Sequence, residues 1–200
     1  MNTLTRRNLL GAASAAPFIH TAARGAARRP NVVMFMTDDH GAWATGAYGC
    51  AEMHTPEIDG LASGGARFDR AFACTPVCSP SRVTYLTGRI PSTHGVQDYL
   101  RPEDSFGEKT RNWLQGHTTY SEILARNGYT LGMAGKWHMG EDDKAQHGFS
   151  YWCTIPGGGG PYKDPEFVCN GKREKRSGYK TDLVTDGALE FLDQRNKEKD

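Results

Sequence analysis

A chain of 200 residues can form one α/β domain with its own core, since about 150 residues already bury roughly 70% of their unfolded surface. A formal net charge of +1, from 24 Lys and Arg against 23 Asp and Glu, excludes the basic excess of a general nucleic-acid binder, so any anion preference has to be local. Five cysteines, Cys50, Cys74, Cys78, Cys153 and Cys169, are too few and too scattered for a disulfide scaffold, and no Cys-x-x-Cys pair suggests zinc.

The segment from Met1 to about Ala27 reads as an export signal. Arg6-Arg7 precedes an Ala-rich apolar run from Leu9 to Ile19 that is too short to span a membrane. The paired arginines suggest the twin-arginine route, with a Sec signal carrying a chance Arg pair as the alternative. Either route places the mature protein in the periplasm or outside the cell, with no stable membrane span.

The apolar run Asn31 to Met36 predicts a buried parallel strand. It leads into Thr37-Asp38-Asp39-His40-Gly41, whose adjacent carboxylates suit Ca²⁺ or Mg²⁺; a solvated loop with an Asp cap is the other reading. His40 is read as a loop residue near that site. Thr55-Pro56 opens a short packing helix, and Ala66 to Ala73 alternates around Phe68 and Phe72 like a strand with one buried face. Cys74 is expected to be a small buried residue or a disulfide partner.

Cys78-Ser79-Pro80-Ser81-Arg82-Val83-Thr84-Tyr85-Leu86-Thr87-Gly88-Arg89 then reads as a short helix, with Ser79 able to cap it, Pro80 in the first turn and Gly88 at its end. Free N–H groups and the positive dipole end at its mouth favour an oxyanion, and the same field favours a thiolate at Cys78. Arg82 lies one turn on. An ordinary structural cysteine and a surface arginine are the bland alternative. His94, in the loop behind, is read as structural.

Leu100 to Gly116 predicts a polar surface excursion anchored by Trp113 and Leu114, able to border a substrate cleft. Thr118 or Thr119 caps a helix stopped by Asn127-Gly128, and a strand follows over roughly Tyr129 to Ala134. It ends in Gly135-Lys136-Trp137-His138-Met139-Gly140, where Lys136 and His138, two apart in an extended segment, are expected to face one pocket. His147 to Trp152 forms an aromatic patch, for core packing or sugar stacking, before a flexible Gly157 to Gly160 loop. Lys172 to Arg176 predicts a solvated charged loop. The last helix, roughly Thr181 to Gln194, is expected to bury Leu183, Val184, Leu189, Phe191 and Leu192.

The Asp38-Asp39, Cys78-x-Pro80-Ser81-Arg82 and Gly135-Lys136-Trp137-His138 motifs, at these positions together, resemble the type I sulfatases of the alkaline phosphatase superfamily. The resemblance runs over residues 30 to 195. It implies an α/β three-layer sandwich with a mostly parallel central sheet, residues 30–200 being the N-terminal part of a larger catalytic domain whose second Asp-Asn pair, His and Lys come from later sequence. It also implies that Cys78 is converted by a formylglycine-generating maturation enzyme to Cα-formylglycine, whose hydrate attacks a sulfate monoester of a small molecule or carbohydrate. Asp38, Asp39 and residue 78 would then bind Ca²⁺ (or Mg²⁺), Arg82 would stabilise the alkoxide, Lys136 would neutralise a sulfate oxygen, and His138 would hydrogen-bond the hydrate. With Cys78 so converted, the four other cysteines allow three pairings, and free thiols are equally compatible. A phosphonate or phosphate monoester hydrolase, and a non-catalytic exported anion-binding protein, are the rival functions.

Overall fold

The computed structural model describes residues 29–197. They divide into two bodies, the segment up to Asp39 and the domain from His40 onward. The expected export signal lies outside the described residues, and no described helix is long and apolar enough to cross a membrane. In the first body residues 30–36 form no strand, and Val33 and Phe35 are 81% and 79% exposed. A buried strand needs ladder partners and cover on both faces, and among the described residues nothing pairs with this run.

The second body is built on one sheet, β1 (Leu131–Lys136), β2 (Phe149–Ile155), β3 (Glu166–Cys169) and β4 (Lys172–Lys175), in that spatial order. β1 and β2 run parallel, while β2–β3 and β3–β4 are antiparallel. β4 replaces the expected charged loop. Arg173 pairs there with Glu166 across the ladder, and a charged edge strand discourages pairing with a further chain.

Side chains of β2 alternate between two cores. Trp152 joins Val83, Leu86, Leu114 and Trp137 on one face, while Tyr151, Cys153 and Ile155 pack with Phe167 on the other. The first core is covered by α2 (Cys78–Thr87) and α5 (Tyr120–Arg126), the second by α6 (Lys180–Lys197) through Leu183, Val184 and Phe191. Helix, sheet and helix thus form the three layers that the resemblance implied, although the sheet is mixed and not mostly parallel, because a hairpin adds β3 and β4 antiparallel to β2. The aromatic patch is core: Trp152 is fully buried and Tyr151 is 4% exposed. Leu189 and Leu192, expected inside, are half exposed because the buried stripe runs through Val184, Gly187 and Phe191, three and four residues apart.

α1 (Pro56–Gly64) forms as expected but buries none of its residues. It is held by Asp59, which accepts from the Ala47 N–H at 2.6 Å and from the Thr55 hydroxyl at 3.0 Å. The Ala66 to Ala73 strand is absent. Phe68 and Phe72 are exposed, the Phe68 carbonyl is taken by the Tyr48 hydroxyl, and no described strand supplies a ladder. α5 carries a full capping box between Thr119 and Glu122. Two further short helices are α3 (Pro91–His94) and α4 (Pro102–Ser105).

Cys153 and Cys169, directly opposite on β2 and β3, are disulfide-bonded, while Cys50, Cys74 and Cys78 are free. Cys74 is exposed, with its thiol 3.5 Å from the Thr84 hydroxyl, instead of buried or bridged. α6 passes over the disulfide at Gly187. A Cβ there would sit 3.4 Å from the Cys153 sulfur and 3.7 Å from Ala134 Cβ, which is ordinary contact. Gly187→Ala is therefore expected to raise stability by about 0.5–1 kcal/mol through helix propensity, and Gly187→Leu to lower it by about 1–3 kcal/mol through overpacking, both read by chemical denaturation.

Candidate active site

Val77, not Ser79, occupies the N-cap of α2, so Cys78 is the first helical residue, half-buried and outside any disulfide. Ser79, fully buried, uses its hydroxyl to accept the Leu100 N–H at 3.3 Å. Gly88 closes the helix at φ 67 with its N–H on the Thr84 carbonyl. Val83 and Leu86 fasten α2 to the core, which fixes the direction in which its first turn presents Cys78 and Arg82.

Arg82 reaches across to β1 and donates from Nη1 to the Lys136 carbonyl at 2.6 Å, joining two motifs that lie 54 residues apart. The second join runs through Leu100. Its N–H meets Ser79, and its carbonyl accepts from His138 Nε2 at 2.7 Å. Because Nε2 faces a carbonyl, it is the donor in this bond. The structure thus brings Cys78, Arg82, Lys136 and His138 into one neighbourhood.

His138 does not share an extended face with Lys136. It adopts φ 60, a left-handed conformation, and is fully buried between the edge of Tyr99, 5.0 Å between ring centroids, and the backbone of Gly158. The Gly157 to Gly160 segment is accordingly not a free loop. Gly158 (φ 70) lies so close to the imidazole that a Cβ would stand 2.3 Å from its Cγ.

Asp142 ties these pieces together, and sequence reasoning passed over it because Glu141-Asp142-Asp143 looks like any polar turn. It is fully buried, accepts the Gly157 N–H at 3.1 Å, and receives the Trp152 indole N–H and Thr154 hydroxyl on its main-chain carbonyl at 2.8 and 2.6 Å. Burial pushes its carboxyl up to about 7, against the opposing pull of N–H groups from Gly157, His138, Met139 and Gly140. A carboxyl raised above its unfolded value favours the fold most at low pH, and that contribution is lost as pH rises through the folded value. Stability is therefore expected to fall between about pH 4 and pH 7, and Asp142→Asn, which keeps an acceptor for Gly157, to flatten that slope in denaturant titrations across this range.

His94 is structural, as expected: buried, it sits 3.0 Å from the Thr84 hydroxyl and accepts the Val96 N–H at 3.2 Å. Burial, then the nearby His117, holds it below the ordinary histidine range. His40 meets the Ala44 carbonyl and steadies a local turn. Trp113 and Leu114 anchor the 100–116 excursion as expected, Leu114 fully buried and Trp113 donating to the Asp104 carbonyl.

Asp38 and Asp39 lie in the first body, both exposed, with Asp39 in a left-handed conformation at φ 52. Their oxygens are the hard donors that Ca²⁺ and Mg²⁺ take, but two carboxylates are fewer than the six to eight donors of a Ca²⁺ shell. Among the described residues no group of three or more His, Cys, Asp or Glu side chains gathers as an ion cage.

Comparison with known proteins places the chain in a family. A sulfatase family model matches residues 30–200. The N-acetylglucosamine-6-O-sulfatase of Bacteroides thetaiotaomicron is 36% identical over 174 residues, which cover 86% of this chain and 29% of that protein. Human arylsulfatase A is 40% identical over 114 residues, 57% of this chain and 22% of that one. The solved structure of BT4656 in complex with its substrate D-glucosamine-2-N,6-O-disulfate superposes with a TM-score of 0.71 at 35% identity, covering 86% of this chain and 32% of that chain. That of Ps i-CgsB gives 0.70 at 30% identity, over 81% and 41%. The chain thus spans under a third of the length of these curated relatives. With its motifs joined through Arg82 and Leu100 and its whole folded length matched, the chain belongs to the sulfatase family.

Proposed function

We propose that this chain contributes the nucleophile and anion-binding half of a sulfuric ester hydrolase acting on sulfated carbohydrate. The observation that carries this reading is the pair of bridges, Arg82 to the Lys136 carbonyl and Ser79 through Leu100 to His138, which lock the first turn of α2 against the end of β1. Likeness to a protein solved with a sulfated sugar supports the substrate class.

Cys78 fits the modification that the family resemblance implies, being a free thiol at a helix start with part of its surface open to a maturation enzyme. Oxidised to Cα-formylglycine, position 78 would supply the nucleophilic hydroxyl of an aldehyde hydrate. Arg82, oriented by Lys136 O, would set a planar cation beside developing negative charge; Lys136 would bind a sulfate oxygen as a point charge. His138, oriented by its bond to Leu100 O, would hydrogen-bond the hydrate and assist its proton transfers, the role that the family resemblance implies. Asp38 and Asp39 carry the hard oxygen donors that would hold Ca²⁺, or Mg²⁺, and such an ion would supply positive charge for sulfate ester chemistry. Export through the N-terminal signal, as a twin-arginine substrate matured in the cytoplasm, completes the proposal.

The test is the mass of the tryptic peptide 71–82 from a host that co-expresses a formylglycine-generating enzyme. Replacing CH₂SH by CHO removes about 18 Da, and the modified protein is expected to hydrolyse an aryl sulfate faster than an aryl phosphonate. An unmodified thiol would favour anion binding without catalysis, and a preference for the phosphonate would move the chain to that neighbouring activity.

A further inference from the structure

β1 and α6 run antiparallel in close contact, with a register that can be read residue by residue. Phe191 lies over Gly132, Gly187 over Ala134, and Val184 over Gly135, where a Cβ would be 3.2 Å from Val184 Cγ1. One more step along the strand is Lys136, and one more helical turn back is Lys180. The two lysines therefore stand side by side at the carboxyl end of β1.

Lys180 is also built into the loop that confines His138. Its ammonium donates to the Gly160 carbonyl at 2.8 Å and lies 4.2 Å above the ring of Tyr162, while its N–H meets the Tyr162 carbonyl at 2.7 Å. Tyr162 stacks on Tyr179 with 6.2 Å between centroids and 18° between planes, yet the two rings stay 66% and 53% exposed. Two large aromatic faces and a second cation thus sit one loop away from the catalytic histidine, outside both hydrophobic cores. Burial, then the positive charge of Lys136, holds the Lys180 ammonium below the ordinary lysine range, as expected when two like charges share a neighbourhood.

We propose that Lys180, Tyr162 and Tyr179 form a binding subsite for a second anionic group on the sugar ring that carries the scissile sulfate ester. The inference rests on the hydrolase reading for the position of that ester beside Lys136. The exposed rings offer apolar faces to the sugar, and the added anion relieves the repulsion between the lysines while pairing with Lys180.

The test measures binding without turnover, on the chain expressed without maturation enzyme. D-glucosamine-2-N,6-O-disulfate and N-acetyl-D-glucosamine 6-O-sulfate, whose acetamide leaves position 2 uncharged, are titrated by calorimetry. A preference of about tenfold for the disulfate is expected, shrinking as salt rises, since the distinguishing contact is a partly exposed ion pair. Lys180→Gln should bring the two affinities to within about twofold, Lys180→Arg should restore the preference, and Tyr162→Ala should weaken both ligands several-fold. Thermal unfolding of each variant shows whether it folds, and the salt series reads the wild-type chain alone. Equal affinities in the wild type, a preference indifferent to salt, or one that survives Lys180→Gln would overturn the subsite. Lys180-dependent preference in a protein whose mature form hydrolyses no sulfate ester would sink the hydrolase reading and leave the subsite standing. Hydrolysis without that preference would do the reverse.

Discussion

Cys78→Ser is expected to abolish sulfate ester hydrolysis, by on the order of 10⁴-fold or more, while leaving the fold intact. The chemical argument is a count of heteroatoms. An aldehyde hydrate at position 78 places two hydroxyl groups on one carbon, so one can bond to sulfur while the other loses a proton and expels sulfate. A serine side chain has a single oxygen and no second group to release what it has bonded. Fold and function separate cleanly here because the Cys78 sulfur belongs to no disulfide, and the helix that carries it is anchored by Val83 and Leu86. Unfolding free energies of the variant and the parent should agree within about 1 kcal/mol in denaturant titrations, as for a volume-conserving change away from the core. The contrasting substitution is Cys153→Ser, which breaks the cross-strand link between β2 and β3 in the core beneath α6. It is expected to lower stability by about 2–5 kcal/mol, assayed by denaturation without reductant. A Cys78→Ser protein that turned over aryl sulfate at the parent rate would remove the modified residue from the mechanism altogether.

What the sequence made legible divides along a physical line. The capped helix at Thr119, the glycine stop at Gly88 and the strand that delivers Lys136 depend on local chemistry, capping, φ and short-range alternation, and all three formed. The runs Asn31 to Met36 and Ala66 to Ala73 carry good strand patterns but no ladder. A strand is a property of its neighbours, and among the described residues those neighbours are lacking. The Lys172 to Lys175 strand failed the other way, because a charged sequence pairs well enough at a sheet edge when a hairpin brings it to β3. The site shows the same division. Cys78, Arg82, Lys136 and His138 could be picked out because motif spacing carried them, whereas Leu100 and Asp142 act through backbone groups or through burial. Main-chain N–H and C=O groups are present at almost every residue, so no local pattern marks the one carbonyl that orients His138.

The second large effect is expected at Gly158, where adding a single methyl group, Gly158→Ala, should damage stability and activity together. Two independent penalties meet there. The residue adopts φ 70, which for an alanine costs about 1–2 kcal/mol. Its Cβ would stand 2.3 Å from Cγ and 2.4 Å from Cδ2 of His138, too close for any pair of carbon atoms. The imidazole has nowhere to retreat, with Tyr99 against it and the ring fully buried, so overpacking adds about 1–3 kcal/mol. Either the 156–162 loop lifts away, or the ring shifts and gives up its bond to Leu100 O. In the second case Leu100 no longer ties His138 to Ser79, and the histidine moves relative to the helix that carries position 78. In the catalytic role proposed for His138, a displacement of about 1 Å is enough for a loss of roughly 10²-fold, expressed in kcat more than in KM. Gly60→Ala provides the comparison, because a Cβ there meets open space in α1, and a gain of up to about 1 kcal/mol is expected from helix propensity alone. Denaturation and steady-state kinetics on both variants decide the matter. A Gly158→Ala enzyme with parental stability and kcat would show that the loop does not hold the imidazole in place.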